Sequence, residues 1–137
     1  MRKIFSSIII LFLFLSCSNS PKNIKTKTCD DVFLDFQEND RCKKEYKNFN
    51  YNLNGVVAYV GFAKDNPGSK NVSCLEFESS EFKNTYIQIY FDRWINQEVQ
   101  EGDKVTVNCT FLRYRKGQYD KLIIFHELDK EKFEVKK

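Results

Sequence analysis

The residue types able to do proton or metal chemistry are few. His126 is the only histidine, and Glu127 follows it. A His–Glu pair can act as a base, but no motif puts a serine or cysteine nucleophile beside it. An enzyme using His126 is therefore the last of the readings carried forward. One histidine gives no histidine-based metal cluster, and no two cysteines have Cys-x-x-Cys spacing. Glycine-rich phosphate loops are absent, so the sequence implies neither metal nor cofactor. Its carboxylate pairs have simpler explanations. Asp30 and Asp31 sit where a helix would start, and Glu76 and Glu78 share one side of a strand, opposite Leu75 and Phe77.

The amino end has a different role. Arg2 and Lys3 precede an apolar run from Ile4 to Leu15, then Ser16 and Cys17. A short cationic start, an apolar run and a small residue before the end form a secretory signal. Twelve residues reach about 18 Å as a helix, short of the ~30 Å hydrocarbon core, which disfavours a transmembrane span. Leu13-Phe14-Leu15-Ser16-Cys17 resembles the lipobox of bacterial lipoproteins, with Phe14 where an aliphatic residue is usual. The resemblance implies cleavage after Ser16 and lipidation of Cys17 by a diacylglyceryl group, with an acyl chain such as palmitate on its amine. Two or three chains make a stable anchor. The rival is ordinary cleavage leaving an unmodified cysteine. Residues 1–16 then read as the signal peptide and 17–28 as a polar flexible tether lifting a domain off the membrane. Ser18 after the anchor allows the outer membrane of the cell envelope.

Charge is nearly balanced. The formal +3 includes Arg2 and Lys3; without them 20 basic residues face 19 acidic ones. Bulk charge thus gives no sign of a strongly cationic nucleic-acid binder.

Setting Cys17 aside, Cys29, Cys42, Cys74 and Cys109 remain. An even number in an exported domain suggests two disulfides, with metal binding the rival. If Cys29 and Cys42 belong to one helix they lie about 19 Å apart, beyond disulfide reach. Each should then pair with Cys74 or Cys109, in either combination.

The elements that must position these groups follow from periodicity. In Asp30–Tyr46, apolar residues at 32, 33, 36, 42 and 46 fit one helical face. From Tyr51 to Phe62 the pattern is that of a long strand, with Gly55 and Gly61 at bends. Residues 65–69 read as a loop. Val72–Phe77 and Thr85–Phe91 read as strands, the second with strict alternation. Residues 92–100 are irregular or a helical turn, anchored by Trp94 and Ile95. Val105–Phe111 alternates again, residues 113–119 form a polar hairpin tip, and Leu122–Leu128 is a fifth strand. The domain spans 29–129, and the charged tail, 130–137, should fray.

The expected fold is mainly β: a five-stranded, OB-like Greek-key barrel preceded by one α-helix. An SH3-like barrel has the same strand count. Motif order favours the former. Glu38-Asn39, Cys42, Glu45-Tyr46-Lys47 and Leu53-Asn54-Gly55-Val56-Val57 resemble the opening of the tRNA_anti-like family of OB-fold proteins. Val99-Gln100-Glu101-Gly102-Asp103-Lys104-Val105-Thr106-Val107 resembles the start of its fourth strand, with Asn108-Cys109 where the family often has glycine. The resemblance covers roughly residues 30–128 and implies a ligand platform on the second and third strands. That platform would carry Tyr86, Gln88 and Tyr90, flanked by Asn66 and Lys70 in one loop and by Arg113, Tyr114, Arg115, Lys116 and Tyr119 in the other. Aromatics with cations suit single-stranded nucleic acid, where bases stack and phosphates meet positive charge. The plain alternative is that tyrosines are good strand formers and the cations a solvated tip.

The reading is a lipid-anchored envelope protein whose OB-like domain is a non-catalytic binding module. Its partner is an envelope protein or other ligand, with oligonucleotide or polyanion binding as the alternative.

Overall fold

The computed structural model describes residues 22–38, 42–62, 73–117 and 121–137. Cys17, Asn66, Lys70 and Tyr119, with the expected signal peptide, lie outside the described residues.

The chain begins as strand β1 (Ile24–Thr28) and passes directly into helix α1 (Cys29–Glu38). Thr28 caps that helix: its hydroxyl accepts from the Asp31 amide at 3.1 Å, and the Asp31 carboxylate accepts from the Thr28 amide at 3.3 Å. This reciprocal pair satisfies two amides at the junction. A short helix α2 (Cys42–Tyr46) follows. The expected single helix is thus two helices, and only the first presents a long apolar face, through Cys29, Val32, Phe33 and Phe36.

The strands after α2 are β2 (Asn50–Val56), β3 (Tyr59–Phe62), β4 (Ser73–Glu78), β5 (Thr85–Phe91), β6 (Lys104–Lys116), β7 (Lys121–Glu127) and β8 (Glu134–Lys136). They form one mixed, eight-stranded open sheet in the order β1-β2-β6-β7-β5-β4-β3, with β8 paired to β6. The molecule is mainly β, as expected, but the ladder does not close into a ring of five. The long first strand breaks at Val57 and Ala58. Val57 donates to Asp103 O and Ala58 to Glu76 O, so consecutive residues bond to β6 on one side and β4 on the other.

Two further expectations fail for a shared reason. Residues 24–28 are not flexible tether but pair in parallel with β2, from Ile24↔Asn50 to Thr28↔Asn54. The tail does not fray: Asp129 accepts from the Glu131 amide at 3.0 Å to cap a 3₁₀ turn, and β8 pairs with β6. Ile-Lys-Thr-Lys-Thr and Glu-Val-Lys look polar, yet each borrows stability from a preformed edge. Phe133 and Val135 also pack on the core.

That core lies between α1 and the inner face of the sheet. Phe36 contacts Tyr46, Phe111 and Tyr114 at ring-centroid distances of 5.0–5.9 Å, and Tyr46 stacks on Tyr51 at 4.8 Å. Tyr46 keeps its hydroxyl satisfied by donating to Asp35 at 2.6 Å, and Lys27 pairs with the same carboxylate at 2.5 Å. Burial, then the Asp35 hydrogen bond, pushes the Tyr46 phenol upward in pKa. A lysine of the supposed tether therefore helps hold the two helices to the sheet.

Candidate functional site

The strand registers gather most of the expected ligand residues on the outer face of the sheet. Tyr86, Leu122 and Arg115 form one lateral row across β5, β7 and β6, with Glu78 of β4 at its end. Glu76, Gln88, Ile124 and Arg113 form the next row, and Cys74, Tyr90, His126 and Thr110 the third. A register shift between Phe111 and Arg113 turns both arginines outward. Tyr114 points the other way, onto Phe36 and beneath Lys43. Lys116 stands opposite Lys121 at the end of the ladder.

The face differs from an open platform in two respects. Gln88 and Tyr90 are 3% and 4% exposed, and Cys74 and Ile124 are fully buried, so its centre is a second small core. Strand β5 is thus covered on both sides. Acidic residues also share the face: Gln88 donates to Glu76 at 2.9 Å, and Glu78 is exposed. Arg113 and Arg115 remain exposed along the β6 margin.

A different group assembles where β3, β5 and β7 end. Phe62 and Trp94 are 51% and 50% exposed and pack on each other, ring centroids 5.0 Å apart. Trp94 was expected to anchor the segment after β5. Ile95 and Val99 are buried there instead, while Trp94 turns outward to Phe62. Beside them Arg93 lies against the rings of Phe91 and Phe133, at 5.4 and 5.5 Å, and bonds to Glu127. Glu98 adds a second carboxylate 3.9 Å from Arg93. The Glu127 side chain is 7% exposed, and its Oε2 has no hydrogen-bond partner among the described residues. Burial pushes its carboxyl upward in pKa, while Arg93 opposes the shift.

His126 belongs to the same corner. Its Nε2 lies 3.0 Å from Asp92 Oδ1, and its Nδ1 lies 2.6 Å from the Glu127 carbonyl oxygen. Both ring nitrogens are therefore engaged with acceptors, which ties the ring to the loop after β5. Adjacency of His126 and Glu127 was legible in the sequence. Their partners Asp92 and Arg93, 34 positions earlier, were not. Phe62 and Trp94 were missed as a pair, because 32 residues separate them and only the fold makes them neighbours.

The four expected disulfide cysteines are not joined to one another. Cys29 is buried at the start of α1 and Cys109 in the core of β6, whereas Cys74 sits on the opposite side of the sheet. The sheet itself therefore separates Cys74 from the core pair. Burial pushes the Cys29 and Cys109 thiols upward in pKa, so both are held as neutral, unreactive side chains. Cys29 also lines a cavity of about 400 Å³, with Phe33, Phe77 and Val105 as its buried walls and half-buried Gly55 beside them. Asp30, Glu78, Lys104, Glu134 and Lys136 form its exposed rim.

No protein-family model matches the chain, and no curated protein or solved structure matches it either.

Proposed function

We propose that this chain is a non-catalytic interaction module of a bacterial envelope, anchored by lipid on Cys17, that binds a protein partner through the Phe62–Trp94 corner. One observation carries the reading. Two large aromatic side chains, one at the end of β3 and one in the segment after β5, stand half exposed and pack ring on ring. Aromatic residues surrounded by polar groups are the usual anchors of protein interfaces. Arg93, Glu98, Asp92 and His126 supply such a surround.

The scaffold proposed for this module is a partly open, OB-type strand order. Supporting this, β2 and β3 are one continuous segment broken only at Val57 and Ala58. Taken as one bent strand, they stand at both ends of the path β2-β6-β7-β5-β4-β3. Five consecutive strands then follow a partly open Greek-key order, with a parallel pairing of β5 and β7.

The test uses photocrosslinking in cells. A benzophenone amino acid at position 94 should yield a discrete protein adduct, and the same group at Lys130 should not. No adduct at position 94 would sink the reading. Trp94 is the only tryptophan, so partner binding should also blue-shift the emission of the purified protein.

A second reading, oligonucleotide or polyanion binding on the outer sheet face, is favoured by the rows that align Tyr86 with Arg115 and Gln88 with Arg113. It requires binding of single-stranded DNA or RNA that weakens steeply with salt and is lost in Arg113→Ala with Arg115→Ala. Absence of binding at low salt removes it.

A further inference from the structure

Near-neutral overall charge conceals a local cluster of lysines. Lys22, Lys25, Lys43, Lys44 and Lys47 converge on the corner formed by the start of β1 and helix α2. Lys22, Lys44 and Lys47 are exposed. Lys25 rests its ammonium 3.8 Å from the Phe49 ring centroid, and Lys43 rests its own 4.7 Å from that of Tyr114. Aromatic contacts of this kind hold the lysine stems while the charges stay at the surface. The Lys43–Tyr114 contact also joins α2 to the stretch of β6 that carries Arg113 and Arg115. Helix α2 contains one carboxylate, Glu45, 3.7 Å from Lys25. The other end of the β2–β6 ladder is mixed: Asp30 and Asp31 open α1 and Glu101 and Asp103 precede β6, but Lys104 and Lys136 pair there and Lys137 lies 3.3 Å from Asp103.

We infer that this lysine corner is a docking surface for an anionic membrane. The position of the anchor argues for a bilayer over other polyanions. Ile24 begins β1 at this corner, paired with Asn50, which faces Thr110 on β6. Cys17 lies seven positions earlier in the sequence. Seven residues reach at most about 25 Å, so a lipidated Cys17 confines the corner near the headgroups. Attraction of basic side chains to anionic lipid acts within a Debye length, about 8–10 Å. An acyl anchor combined with a basic patch is a two-signal attachment. Docking by this corner turns the opposite end of the ladder away from the bilayer. The inference rests on the lipid anchoring proposed above, and the two can fail separately.

The test uses the full mature protein mixed with vesicles of phosphatidylcholine alone or with one-quarter phosphatidylglycerol. Recovery with phosphatidylcholine vesicles reads the anchor, checked by the mass of the amino-terminal peptide. Lysine acylation then reads the docking surface. Lys43, Lys44 and Lys47 should be acylated several-fold more slowly on phosphatidylglycerol vesicles than on phosphatidylcholine ones, with Lys130 and Lys132 unchanged. Molar salt should abolish the difference. Equal acylation on the two vesicles overturns the docking surface while leaving the anchor intact. A protein lacking lipid overturns the anchor; salt-sensitive protection of the same lysines by phosphatidylglycerol vesicles would then uphold the docking surface by itself. Protection of these lysines by single-stranded DNA in preference to anionic vesicles overturns the membrane assignment in favour of nucleic acid.

Discussion

Glu127 concentrates the electrostatic tension of the Arg93 corner. Its carboxylate is buried, one oxygen bonds to Arg93, and the other has no partner among the described residues. Burial raises its pKa above the ordinary value of 4.5, so folding disfavours the ionised form. Its contribution to stability is complete below about pH 4.5 and is lost as pH rises through the folded value. Urea denaturation across pH 4.5–7 should show this decline in the wild type and a flatter profile in Glu127→Gln. An identical pH slope in the variant would refute the account. Arg93→Ala removes the compensating cation and should cost roughly 1.5–3 kcal/mol, measured by the same denaturation at neutral pH. Gly55 is a second sensitive position. A Cβ there would lie 2.6 Å from the Cys29 sulfur and 2.8 Å from the Phe77 ring. Gly55→Ala should destabilise by about 1–3 kcal/mol through overpacking, and Cys29→Ala in the same chain should recover part of the loss. The sequence marks Gly55 as a bend; its packing role is visible only once α1 lies against β2.

At the scale of elements, β1 and β8 show how a weak local signal becomes structure. Neither has an apolar run, and both add to strands already fixed by the core. Truncation after Asp129 should therefore lower the melting temperature, because Phe133 and Val135 leave the core and β6 loses a ladder partner. A fraying tail would leave melting unchanged. Amides of β8 should exchange with solvent more slowly than those of the Glu101–Gly102 turn. By contrast, α1 and β5 were legible in the sequence, from the spacing of Val32, Phe33 and Phe36 and from the alternation of Ile87, Ile89 and Phe91. Burial of Gln88 and Tyr90 on the other face of β5 was not, because alternation says which residues share a side and nothing about what covers that side.

For the whole molecule, the relevant property is which groups the sheet unites and which it divides. Cys29 and Cys109 share the main core while Cys74 lies across the sheet. In guanidinium without reductant, Cys29 and Cys109 should alkylate fully, and in the native protein they should resist. Resistance in both conditions would show that they are oxidised. The strand order, with β1 at one end and β3 at the other, sets the Phe62–Trp94 corner apart from the lysine corner. The first gathers at the ends of β3, β5 and β7, the second at the starts of β1 and β2, so the proposed partner and membrane contacts use different surfaces. Trp94→Ala should leave the melting temperature within a degree or two, since the ring is half exposed, while abolishing partner capture.

The sequence by itself determined the β character, helix α1 and the strict alternation of the central strand, and its amino end carries the pattern on which the proposed lipid anchor rests. These depend on residue type and short-range periodicity, which any chain displays in linear order. Tertiary structure alone decided that residues 24–28 and 134–136 become strands, that Cys74 lies across the sheet from Cys29 and Cys109, and that Trp94 faces Phe62. Those outcomes depend on contacts between residues distant in sequence, where the free energy of an edge, a core or a ring pair is set by what the fold brings beside it.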